Sequence, residues 1–414
     1  MGKYCYILVG VGIFLVISGI NSIAEESVKN PIQTAISGTT ISGYVDTSAI
    51  WKFGKGNGGT GVGNPLSGGS MPGRSYDGTP KQDGINLNVV ALTLSKPAVD
   101  ENWSAGFNFT LLYGPDAAGY NTTPAVTVSD FSLKDAYVEL NVPLGNGLKF
   151  KVGNFTEVLG YEVFESGKNP NYSRSYGYFI EPTQMTGILG SYMFNDIVSV
   201  VFGVANSWLP GVNARALRNG LPASEWEKTY IGMVTLTAPE TAGFLKGSTL
   251  SFGVIDGLAG GASDTTSLYA GGNIPTPLKN LTLGYAHDYR MTKTKYNAPS
   301  SYAHASSLYF LYSATEKLKI NTRVEYAKGS ANTWYAVNNP PGPFPETNPK
   351  NELLGVTTTF DYSLWANVIT RLEFRWDHDL TGQRYSGVGD TNIGPFGNDD
   401  RNAFSLALNV IYNF

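Results

Sequence analysis

The chain has almost no cysteine, little histidine and little charge. Its 414 residues include one cysteine, Cys5, and three histidines, and only 15% are Asp, Glu, Lys or Arg. A single thiol excludes a disulfide framework. His287, His304 and His378 stand at no metal-ligand spacing, so no metal or other cofactor is expected. Beyond the first 24 residues no apolar run approaches the ~18 residues of a spanning helix, which excludes a polytopic helical protein. A net charge of −4 without a basic patch argues against nucleic acid as a partner. What the chain does have is 49 glycines, 25 tyrosines and 20 phenylalanines, the composition of strands and turns.

Residues 1–24 read as an export signal. Lys3 supplies the basic start, residues 6–17 are the apolar centre, and Ser22-Ile23-Ala24 is a small-x-small cleavage site. Cys5 leaves with it. Residues 25–38 are then a short periplasmic stretch, and 39–414 the remaining domain.

From residue 39 the hydrophobic pattern has period two. At the C-terminus Phe404, Leu406, Leu408, Val410, Tyr412 and Phe414 alternate with Ala403, Ser405, Ala407, Asn409, Ile411 and Asn413. Similar alternation puts Arg371, Glu373, Arg375 and Asp377 on one face, and Lys319, Asn321, Arg323 and Glu325 on another. Sixteen such runs lie near 39–53, 84–96, 101–113, 131–143, 147–157, 185–194, 196–207, 228–239, 247–257, 266–274, 278–290, 304–315, 316–328, 351–363, 366–377 and 401–414. Each matches the ~9–11 residues that a tilted strand needs to cross a bilayer.

Short connections alternate with long ones at 54–83, 114–130, 158–184, 208–227, 258–265, 291–303, 329–350 and 378–400. Oily outside, polar inside, with short turns below and long loops above, is the pattern of a transmembrane antiparallel β-barrel in an outer membrane. An even strand count puts both termini in the periplasm and lets the last strand close on the first. Trp51, Trp208, Trp226 and Trp376 mark the upper interface, and Trp103 and Trp365 the lower. Lipid and lipopolysaccharide would surround such a barrel. The final Phe414, with Tyr412 on the same face, resembles the terminal strand that the outer-membrane insertion machinery reads.

Residues 150–196 carry Val152-Gly153-Asn154-Phe155, Gly160-Tyr161-Glu162, an Asn-Pro-Asn-Tyr-Ser-Arg-Ser-Tyr run at 169–176, Thr186-Gly187 and Asn195-Asp196. This succession resembles the OmpL-like β-barrel porin family (porin-2 type) of Gram-negative outer membranes. Gly43-Tyr44-Val45-Asp46 and Ala136-Tyr137-Val138-Glu139-Leu140 are similar to it as well. The resemblance implies a passive porin for small hydrophilic solutes or ions and not an enzyme. A homotrimer is implied by likeness to sixteen-strand porins. The alternatives are a surface adhesin or structural protein built on the same barrel, and a channel selective for a sugar or phosphate.

The loop at 158–184 combines Tyr161, Phe164, Tyr172, Tyr176, Tyr178 and Phe179 with Glu162, Glu165 and Arg174. Aromatics give it a face to pack, so we expect it to fold into the lumen. Its charges would then face Lys149, Lys151, Arg323, Arg371 and Arg375 across an opening. The alternatives are an external lid and ordinary solvated wall charge. Gly54-Lys55-Gly56-Asn57-Gly58-Gly59 formally fits a dinucleotide loop but has no following helix. Asp377, Asp379, Asp390, Asp399 and Asp400 fit no EF-hand spacing. His287-Asp288 has no accompanying nucleophile motif.

Overall fold

A computed structural model describes residues 38–53, 81, 83–100, 102–119, 131–156, 158–218, 221–222, 227–259, 263–294, 300–331, 333–334, 350–381 and 402–414. The export signal, the glycines of residues 54–59, Trp226, Asp390, Asp399 and Asp400 lie outside them.

Sixteen strands close into one barrel in chain order. They are β1 Thr40–Phe53, β2 Gly84–Lys96, β3 Ser104–Tyr113, β4 Phe131–Val142, β5 Leu148–Thr156, β6 Gln184–Met193, β7 Val198–Ala205 and β8 Thr229–Thr237. The second half is β9 Thr249–Leu258, β10 Ser263–Pro275, β11 Leu281–Thr294, β12 Ser301–Ser313, β13 Leu318–Gly329, β14 Asn351–Trp365, β15 Val368–Asp379 and β16 Asn402–Asn413. Each matches one of the sixteen alternating runs. Closure is direct: β1 pairs antiparallel with β16 from Tyr44↔Asn413 to Phe53↔Phe404. The Gly43 amide donates to the Phe414 carbonyl at 2.9 Å, and the Phe414 amide returns the bond to Gly43 at 3.0 Å. No edge is left, so every ladder amide can be satisfied without water, as a membrane requires.

The period-two pattern follows from that setting. Leu408, Val410, Tyr412 and Phe414 point outward and are about half exposed, while Ser405, Ala407, Asn409 and Ile411 between them are buried. On β15, Leu372 and Phe374 are exposed, and Arg371, Glu373, Arg375 and Asp377 are buried. No helix among the described residues is long and apolar enough to cross a membrane; strands do the crossing.

Three expectations change. Strands β10, β11 and β12 run further than their hydrophobic cores suggested, so two long connections shrink to 259–262 and 295–300. Thr and Ser continue the ladder there with too little hydrophobic contrast to mark its end. Strand β7 has 8 residues, shorter than a full crossing was expected to need. Trp208 is no interface residue: it turns inward, 8% exposed, and its indole N–H donates to Ser267 Oγ at 3.1 Å. Trp103 and Trp365 do stand exposed on the outer face near the short turns.

Candidate functional site

Strand β5 delivers the chain into the lumen at Thr156, and β6 takes it out at Gln184; the two residues are register partners. Between them the described residues make only a 3-10 turn, Ser166–Lys168, and one short helix, Tyr176–Ile180. Most of its backbone groups therefore lack local partners and must find them elsewhere.

The inner wall supplies them. Tyr172 N–H donates to Glu373 Oε2 at 2.6 Å and Ser173 N–H to Glu373 Oε1 at 3.0 Å. Tyr176 N–H donates to Glu325 Oε1 at 2.8 Å. In return, Arg323 Nη1 donates to Ser173 O at 2.7 Å and Arg375 Nη1 to Arg174 O at 2.7 Å. Arg371 Nη1 donates to Ser166 O at 2.6 Å and Nη2 to Asn169 O at 3.2 Å. Wall carboxylates thus hold the segment's amides, and wall guanidinium groups its carbonyls. Arginine suits the second task because its planar fork can serve a carbonyl and a carboxylate together.

Its side chains extend the grip around the barrel. Tyr172 Oη donates to Ser48 Oγ on β1 at 3.1 Å, and Asn88 Nδ2 on β2 donates to Tyr172 Oη at 3.3 Å. Tyr161 Oη donates to Asn273 on β10 at 2.5 Å, and its ring stacks on Tyr309 of β12 at 4.2 Å. Tyr176 Oη donates to Asp377 on β15 at 2.5 Å. Trp334, in the connection after β13, is fully buried and donates its indole N–H to Tyr176 O at 3.2 Å. Two wall glycines make room: a Cβ at Gly253 would collide with Leu159, and one at Gly284 with Tyr161 Oη. Phe164, Tyr172, Tyr176 and Tyr178 are all buried.

The charged residues singled out in the sequence fall into two groups. Glu162 accepts from Arg323 Nη1 at 2.7 Å and from Tyr309 Oη at 3.0 Å, and Arg323 Nε reaches Glu325 Oε2 at 2.7 Å. Arg371 pairs with Asp361 at 2.7 Å and Arg375 with Asp377 at 2.8 Å. Arg323, Arg371 and Arg375 are at most 2% exposed. For Glu162 and Arg323 the expected separation across an opening is replaced by direct pairing, while Arg371 and Arg375 pair with carboxylates of the wall itself. Glu165 pairs with Lys134 at 3.2 Å, a partner the sequence reading missed, and Arg174 donates to the carbonyls of Tyr172 and Phe164. Burial pushes the Glu165 carboxyl up, but Lys134 and Lys168 outweigh it and hold it below the usual range. Burial first, and the Asp377 charge second, push the Tyr176 phenol far up, so it stays a donor.

Lys149 and Lys151 form the second group, away from those carboxylates. Lys149 pairs with Asp100 at 2.6 Å near the short turn between β2 and β3, and Lys151 Nζ lies 4.7 Å from the Tyr137 ring centroid. Among the described residues no set of His, Cys, Asp or Glu could hold a metal ion. His287 bonds Ser306 at 2.8 Å and His378 bonds Asn402 at 2.8 Å.

Among curated proteins no sequence matches this chain. Solved structures do. The anion-selective porin from Comamonas acidovorans is 11% identical, over 91% of this chain and 99% of that one, with a TM-score of 0.57. OprB of Pseudomonas putida is 10% identical over 92% and 96%, also at 0.57. The outer membrane channel DcaP of Acinetobacter baumannii is 11% identical over 91% and 97%, at 0.54. At such identity the likeness is one of fold. The model of the family described as "Putative beta-barrel porin-2, OmpL-like" matches residues 38–414. The chain belongs to that family and is an outer-membrane β-barrel of the porin type.

Proposed function

We propose that the protein is a passive diffusion channel for small hydrophilic solutes and ions, with residues 158–184 as its constriction. One observation carries this reading: inside a porin-type barrel, the segment is bonded to β1, β2, β10 and β12–β15, so it crosses the lumen rather than capping it. Glu162, Arg174, Arg323, Arg371 and Arg375 hold the constriction in place, Glu165 ties it to β4, and Lys149 and Lys151 face the passage that remains. Single-channel conductance of refolded protein in planar bilayers tests it. Small, steady, ohmic openings are expected. A barrel that inserts and carries no current would point instead to an adhesin.

The same reading gives Tyr412 and Phe414 a role in assembly. Both rings stand on the lipid face and stack at 6.5 Å, and Phe414 is the residue that bonds back to Gly43. Deleting Phe414 removes a closing contact together with the terminal aromatic. Fractionation of cells should then show less barrel in the outer membrane and more chain in the periplasm. Unchanged levels would reduce the two rings to interfacial anchors.

A further inference from the structure

We infer that the free passage runs beside the β5–β8 wall and selects small anions with an apolar body, such as aromatic or short-chain carboxylates, through Lys151. The inference rests on the channel reading and adds the class of solute.

The lumen has two unlike sides. On the β13–β15 side every arginine named above meets a carboxylate and a backbone carbonyl, so those cations have nothing left to offer a passing ion. Lys151 differs. Among the described residues no carboxylate forms an ion pair with it, and its ammonium rests over the Tyr137 ring at 4.7 Å. An aromatic face steadies a cation without neutralising it.

Beside Lys151 is a cavity of about 200 Å³ lined by Lys151, Thr156, Val158, Leu189, Ser191, Val201 and Met233. Four of those seven side chains are apolar. A lumen wall in contact only with water and salt needs no such surface, since porin interiors are polar. The volume is below the ~300–1,000 Å³ of sites for drug-sized ligands, which restricts the occupant to a small molecule.

One ammonium against an aliphatic wall is a complementary pair of surfaces for one carboxylate on an apolar body. A sugar would leave most of its hydroxyls against Val, Leu and Met without partners, and inorganic phosphate would leave its remaining oxygens there, each at the cost of lost hydration. Toward the long-loop end a second cation, Arg290, lies over the Trp208 ring at 6.0 Å, again with no carboxylate partner among the described residues. Val158 and Trp208 belong to one continuous apolar cluster. The β5–β11 side therefore offers cation, apolar wall and cation along its height.

The test uses the refolded barrel and sodium benzoate, with glucose as the uncharged control. In a KCl gradient the reversal potential should show chloride preferred over potassium. Benzoate should block chloride current and enter proteoliposomes several-fold faster than glucose. Lys151→Gln should abolish the anion preference and the block, while Lys151→Arg retains both. Met233→Asn, across the cavity, should weaken the block by benzoate and leave chloride preference intact, which gives a second variant should Lys151→Gln not refold. Equal entry of benzoate and glucose, or selectivity indifferent to Lys151, overturns the inference and leaves the channel reading standing. A barrel without current overturns both.

Discussion

Replacing Arg323 by alanine should release residues 158–184 from the wall and raise single-channel conductance several-fold, with the barrel intact. Arg323 is fully buried and bonds Glu162, Glu325, Ser173 O and Arg174 O at once. Its loss removes the cation paired with Glu162 and Glu325 and the guanidinium donor to Ser173 O. Breaking a buried pair from one side costs about 3–5 kcal/mol. The barrel can avoid that cost only by letting water reach the carboxylates, and water enters if the segment lifts. Nothing in the β13 ladder depends on the guanidinium, since its pairing with β14 runs unbroken from Leu318↔Tyr362 to Gly329↔Asn351. The barrel should therefore keep its heat-modifiable mobility on gels. Arg323→Lys should behave nearly as badly, because one ammonium cannot span two carboxylates and two carbonyls. Conductance equal to the parent's in Arg323→Ala would mean that the segment does not limit the passage.

The strands were legible because lipid imposes a rule on every second residue. On β16 the outward set is apolar to the last position, and no buried partner needs to be known to read it. Trp208 shows where the rule stops: it falls beyond the end of β7, where alternation no longer fixes direction, and Ser267 on β10, its hydrogen-bond partner, is 59 residues away. The arginines show a second limit. Period two places Arg323, Arg371 and Arg375 in the lumen correctly, but a solvated wall arginine and one clamped to a backbone carbonyl 150–205 residues away look the same in sequence. The aromatics of the segment did signal a packing face. The wall's side of that contact was hidden in Gly253 and Gly284, whose role is to be absent as side chains. Lys134, the partner of Glu165, sits at a bulge where β3 and β4 slip register, so its inward direction could not be read by counting.

Replacing residues 157–183 by Asn-Gly should produce the largest conductance of any variant while leaving a folded barrel. Strands β5 and β6 are paired from Leu148↔Tyr192 up to Thr156↔Gln184, so the two ends to be joined already face each other. A two-residue Asn-Gly loop forms the turn whose twist matches paired antiparallel strands. The deletion removes the buried aromatics and exposes Arg323, Arg371, Arg375, Glu325, Glu373 and Asp377 to water. Those charges can then be hydrated or pair with one another as ordinary wall charge does, and the lipid face is untouched. Selectivity should change character as well. In the parent, Lys151 and Arg290 form no ion pair with a carboxylate among the described residues, whereas in the deletion variant a wall of both signs meets the solute across a wide lumen. With field lines spread over a width comparable to the ~8–10 Å Debye length, reversal potentials in a KCl gradient should fall toward zero. A deletion variant that refolds and conducts no better than the parent would show that another part of the chain sets the bore.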